Sequence, residues 1–131
     1  MIGIIGAMHI EVETVKSLME NKVSETVSGM EFVSGTLFGR KIVVAVCGIG
    51  KVAAAMCAQT MILKYSPECI INTGVGGSLD PELHICDVVI AESLVQHDMD
   101  TTALGEKRGE ISVPGGVRIE FPCDRQAASV L

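Results

Sequence analysis

The sequence predicts an α/β protein of three layers, α/β/α, with helices on both faces of a mixed, largely parallel central sheet. Three observations predict it. Residues 2–5 and 69–73 are short continuous apolar runs, the pattern of strands buried on both faces. Segments with apolar residues at helical spacing alternate with such runs, which calls for helices packed on a sheet. Three of the strand runs end in glycine turns, at Gly6, Gly48 and Gly74. With 131 residues, the chain (1–131) is sized for a single domain with a core of moderate size.

Residues 2–5 form the first expected strand, ended by Gly6. Val12, Val15, Leu18 and Met19 then recur every three or four residues up to the polar break Glu20-Asn21-Lys22, which predicts a helix. Residues 24–28, 31–38 and 41–47 are β-rich runs separated by Gly29 and Gly39-Arg40, the pattern of an antiparallel meander. An Ala- and Met-rich helix is expected over 52–63, closed by Tyr65-Ser66-Pro67. The strand 69–73 follows and runs into Gly74-Val75-Gly76-Gly77. Residues 87–95 read as one more strand, and the Gly-rich stretch 101–118 as a loop. A last helix should start near Asp124 and run about two turns. Helices that short are marginal by themselves, so the chain reads as the N-terminal part of a longer protein, its C-terminal part missing.

Composition narrows the function classes. A formal charge of −6 without a basic cluster argues against nucleic acid, which needs a positive face to displace counterions. Five scattered cysteines, none in a Cys-x-x-Cys pair, indicate neither a disulfide framework nor a zinc site. No apolar run approaches the eighteen or so residues of a membrane span. The N-terminus lacks a positive leader, so a cytoplasmic location is expected.

Two carboxylates open the first helix. Stepping about 100° per residue, the apolar side of that helix centres about 50° from Glu11 and about 150° from Glu13. Glu13 is therefore expected in water. Glu11 stands at the edge of the buried side, just past the carboxyl end of a strand, where open α/β sheets place their ligand crevice. Two readings follow: an acid that merely favours a helix N-terminus, or a general base with a tunable pKa.

Gly48-x-Gly50-x-x-Ala53 formally matches the dinucleotide fingerprint. The acid expected about twenty residues later at the next strand's end is absent; Asn72 and Thr73 stand there. Small residues for tight strand-to-helix packing explain the match equally well. The run Gly74-Val75-Gly76-Gly77 is either a turn or a binding loop whose N–H groups face an anion or hydroxyl. In a parallel sheet the three glycine turns would share one edge and make a pocket. His97, Asp98 and Asp100 supply too few ligands at metal spacing, and hydrogen bonding of a strand end is the simpler account.

Gly3-Ile4-Ile5-Gly6-Ala7-Met8 with Glu11, then Gly48-Ile49-Gly50-Lys51-Val52-Ala53-Ala54-Ala55, Ile71-Asn72-Thr73-Gly74 and His97-Asp98-x-Asp100-x-Thr102-Ala103-x-Gly105 resemble, in order, the bacterial 5'-methylthioadenosine/S-adenosylhomocysteine nucleosidases of the purine nucleoside phosphorylase-like superfamily. The resemblance implies a cofactor-free, metal-free hydrolysis of the bond between adenine and a 5'-thioribose, in a homodimer. It implies that Glu11 activates the attacking water, and that Met8, Ile49, Val75, Gly76 and Gly77 line the substrate pocket. It implies that Thr101, Leu104 and Pro114 serve the pocket of the partner subunit. The acid that protonates adenine and the purine-binding residues would come from the missing C-terminal part, leaving this chain alone catalytically incomplete. His9 and Ile10, Val75-Gly76 and Leu104 depart from the family's common pattern and bear on substrate preference. The alternatives are a phosphorylase of the same superfamily, a Rossmann-like nucleotide-binding module and a non-catalytic fragment.

Overall fold

The computed structural model describes residues 1–129. Its chain forms two compact units, Met1–Gly77 and a second beginning at Ser78.

The first unit runs β1 (Ile2–Gly6), α1 (His9–Leu18), β2 (Glu20–Val27), β3 (Met30–Leu37), β4 (Arg40–Val46), α2 (Lys51–Tyr65) and β5 (Cys69–Asn72). The five strands make one sheet in the order β2-β3-β4-β1-β5. The sheet is mixed: β1 lies parallel to both β4 and β5, whereas β2, β3 and β4 form the expected antiparallel meander. Parallel pairing is thus confined to half of the sheet, because the meander's two-residue turns reverse the chain. Both turns, Ser28-Gly29 and Phe38-Gly39, have positive φ at both residues, the geometry that matches the twist of adjoining strands.

β4 shows why the sheet has two covered faces. Ile42, Val43, Val44 and Ala45 are all buried, although alternate side chains point to opposite sides. Ile42 and Val44 pack with Val33, Met19 and Val12 of α1. Val43 and Ala45 pack with Ile5, Phe32 and the Cys57–Met61 side of α2. Helices therefore cover both faces, as the sequence predicts. α1 begins at His9, earlier than its apolar spacing suggests.

The second unit is described by itself. It contains β6 (Ser93–Val95), a 3₁₀ turn (Thr102–Leu104), β7 (Ile111–Val113), β8 (Gly116–Arg118), β9 (Glu120–Pro122) and α3 (Arg125–Ala128). Two expectations are corrected here. The strand anticipated over 87–95 is reduced to Ser93–Val95, which pairs antiparallel with β9. Val88, Val89 and Ile90 are exposed, and no strand among the described residues pairs with them, so apolar content alone does not make them a strand. The anticipated loop 101–118 contains the 3₁₀ turn and the β7–β8 hairpin, closed by Pro114-Gly115 with Gly115 at φ +93°. The last helix is where Asp124 places it: one carboxylate oxygen accepts the N–H groups of Gln126 and Ala127, each at 2.9 Å. The remainder of that reading, on Val130 and Leu131, lies outside the described residues. No helix among the described residues is long and apolar enough to cross a membrane.

Candidate active site

Parallel pairing brings the carboxyl ends of three strands level. Gly6 stands opposite Val46, and Ile5 opposite Asn72. Pairing continues one step past β4 and β5: the Cys47 N–H donates to the Gly6 carbonyl and the Thr73 N–H to the Ile5 carbonyl, both at 2.9 Å. The turns after β1, β4 and β5 therefore leave the sheet from one edge, beyond strand ends where such sheets bind ligands.

Glu11 sits there, in the first turn of α1. Its Oε2 accepts the N–H of Met8, the residue capping the helix, at 2.9 Å. Its Oε1 accepts the N–H of Val75, in the turn after β5, at 3.1 Å. One bond is local, and the other ties two loops together. Glu11 is half-buried and Glu13 exposed, as the helix-face reading predicts. The N–H of Met8, then that of Val75, hold the Glu11 carboxyl below its ordinary range, against partial desolvation that pushes it up. Glu11 is thus an anion at neutral pH. A carboxylate oxygen that accepts one N–H keeps a lone pair for another donor such as water.

The N–H of Val75 does face an anion, as the glycine loop suggested, but the anion is the chain's own Glu11. A side chain at Gly6 or Gly74 would crowd Glu11, and sequence reasoning missed that role of the two glycines. In the Gly48 loop, Gly48 and Gly50 have φ of +85° and +106°, so glycine there serves backbone conformation. A Cβ on Gly48 would meet only that of Ala53, at an ordinary 3.8 Å, so tight strand-to-helix packing does not require the glycine. Cys47, between β4 and that loop, is buried; its thiol donates to the Gly48 carbonyl at 3.1 Å. Burial raises its pKa, with the Glu11 charge adding to the rise, so it is not an activated nucleophile.

Met8, Ile49 and Val75 are exposed, and open space surrounds the Cα positions of Gly76 and Gly77. Met8 and Val75 join Glu11 through their N–H groups; Ile49 is carried by the neighbouring turn. Thr101, Leu104 and Pro114 belong to the second unit. Thr101 immediately precedes the 3₁₀ turn, and its hydroxyl is buried without a hydrogen-bond partner. Leu104 and Pro114 are exposed. Asp100 accepts the hydroxyl of Thr102 at 2.7 Å and its N–H at 3.1 Å, which hold its carboxyl below the ordinary range. It shapes the loop that follows β6, the loop part of the hydrogen-bonding account. Among the described residues no group of three or more His, Cys, Asp or Glu side chains is placed to hold a metal ion.

A carboxylate held ionised beside the glycine turns that follow three parallel strands stands where open α/β sheets place their ligand crevice. The family model described as the phosphorylase superfamily matches residues 1–130, and the chain belongs to that superfamily. A Shewanella sp. (strain MR-7) relative named 5'-methylthioadenosine/S-adenosylhomocysteine nucleosidase is 42% identical over 128 residues, 98% of this chain and 54% of the relative. The crystal structure of the Neisseria meningitidis nucleosidase of that name, in complex with methylthio-immucillin-A, superposes with a TM-score of 0.89 at 35% identity, covering 98% of this chain and 54% of that one. A Colwellia psychrerythraea nucleosidase in complex with adenine gives 0.90 at 33% identity, covering 98% and 52%. The chain spans about half the length of the curated relatives it matches.

Proposed function

We propose that the full-length protein hydrolyses the N-glycosidic bond of 5'-methylthioadenosine and S-adenosylhomocysteine and releases adenine, without metal or organic cofactor. The single observation that carries this is the Glu11 carboxylate, ionised and clamped between the Met8 and Val75 N–H groups where the strand ends converge. Glu11 orients a water toward the anomeric carbon and takes its proton as the new C–O bond forms. The bond to adenine breaks, its electron pair leaves with the base, and the base is protonated by an acid from the C-terminal part of the full-length protein. A carboxylate of low basicity suffices, because the attacked carbon carries oxocarbenium character when water arrives. Met8, Ile49, Val75, Gly76 and Gly77 line the substrate. The chain then forms part of a single nucleosidase domain.

Phosphorolysis fits less well. Lys16, the cation nearest the first turn in sequence, has its ammonium on Glu31 at 2.8 Å, and a carboxylate in the crevice repels phosphate. The proposal extends to a cytoplasmic enzyme of methionine salvage and to a homodimer in which Thr101, Leu104 and Pro114 serve the partner's pocket. Val52, Met56 and Leu63, exposed on the side of α2 opposite Cys57 and Met61, support self-association. Adenine release from both nucleosides, by the full-length gene product and by residues 1–131, tests the reading. Phosphate-independent release by the full-length protein is expected; dependence on phosphate, or no release, overturns it.

A further inference from the structure

Gly74 does not owe its identity to backbone conformation: its φ lies outside the left-handed region, so an L-residue fits the main chain. What excludes a side chain is Glu11. A Cβ built on Gly74 would lie 2.7 Å from Glu11 Oε1, 3.1 Å from its Cδ and 3.4 Å from Oε2, and these are its three nearest atoms. Gly6 shows a different pattern: its Cβ would first strike the Val12 core methyl, at 2.7 Å.

The geometry points to Gly74 as the positioning residue for Glu11: its missing Cβ is the slot that lets the carboxylate reach the Val75 N–H. This rests on the hydrolase reading above for its consequence in turnover, but not for the contact itself. The clash is with the far end of a flexible side chain, so an added methyl moves the carboxylate rather than the fold. Ordinary contact begins at 3.4 Å, so Oε1 must retreat by about 0.7 Å. The Val75 bond is already 3.1 Å long, at the upper end of hydrogen-bonding distance, so that retreat weakens or breaks it.

The test is Gly74→Ala in the full-length protein, with three readouts. In ligand-free protein, ¹³C-carboxyl NMR should show Glu11 titrating at higher pH than in the parent, because an N–H that favours the anion is lost. In turnover, kcat should fall about 100-fold, the usual cost of an ångström-scale misplacement, with KM little changed and the acid limb moved to higher pH. In urea unfolding, any loss of stability from Gly74→Ala should vanish in a Glu11→Ala background, which lacks all three of the atoms nearest the added Cβ. Parent-like titration and kcat in folded Gly74→Ala overturn the proposal. So does a stability loss that persists when Glu11 is alanine, including failure of both variants to fold; rescue of folding by Glu11→Ala supports it. A shifted titration in a protein whose parent releases no adenine leaves the positioning role standing and sinks the hydrolase reading instead.

Discussion

Replacing Glu11 and Glu13 separately by Gln separates a reacting carboxylate from a bystander two residues away on the same helix. Glu11→Gln keeps the side chain's length but turns one acceptor oxygen into an NH₂ group. Both oxygens now accept backbone N–H donors, at 2.9 and 3.1 Å, so the amide must point a donor at one of them. The variant therefore loses one hydrogen bond, loosens the link between the turns after β1 and β5, and cannot take a proton from water. Removing a general base costs about 10²–10⁴-fold in rate, and displacement of the remaining oxygen adds to it. Glu13, exposed on the other side of α1, contributes none of these, so Glu13→Gln should turn over like the parent. The assay is chromatographic measurement of adenine released by the full-length protein at saturating nucleoside, with thermal unfolding of each variant to confirm folding. Equal losses in the two variants, or parent-like turnover in Glu11→Gln, would refute the reasoning.

Further outcomes follow from the same geometry. Because the Glu11 pKa is lowered, its active anionic form persists below the usual carboxylate range and disappears only as pH falls through the depressed value; the acid limb of kcat/KM should lie below that range, and a limb near neutrality contradicts it. Met61 is fully buried beside Gly3, so Met61→Ala should cost about 2–5 kcal/mol in urea denaturation; a negligible shift in midpoint would deny α2 its place in the core. Burial raises the Cys57 pKa to about 11, so iodoacetamide at pH 8 should leave it unlabelled until urea unfolds the protein. Peptide mass spectrometry reads that directly, and labelling of the native protein would contradict it.

Much of this fold is legible in the chain because its signals are local. Two-residue turns with glycine fix the meander, unbroken apolar runs mark strands covered on both sides, and the Val12–Met19 spacing marks α1. Glu11 was legible too, since its angle on the helix follows from sequence position alone. Other features depend on distant partners. The start of α1 at His9 is hidden because the capping residue is Met8, not a Ser, Thr, Asp or Asn, and Glu11 supplies the bond to its N–H. Val88 to Ile90 look like a strand until the neighbours they would need are sought. The β7–β8 hairpin had a signal, Pro114-Gly115 between Ile111-Ser112-Val113 and Val117, that overall glycine content obscured. The need for glycine at position 74 was invisible, because the side chain that forbids a Cβ there lies 63 positions earlier, on another element.

The bond from Glu11 to the Val75 N–H spans 64 residues. At about 5–20 residues per second of synthesis, its two ends leave the ribosome roughly 3–13 s apart. The acid is made 64 residues before its partner but is not fastened until the fifth strand has joined the first. A ribosome-bound chain that has not yet reached Val75 carries the carboxylate with only its local tether, so the site matures late in an order of assembly that begins with its principal group.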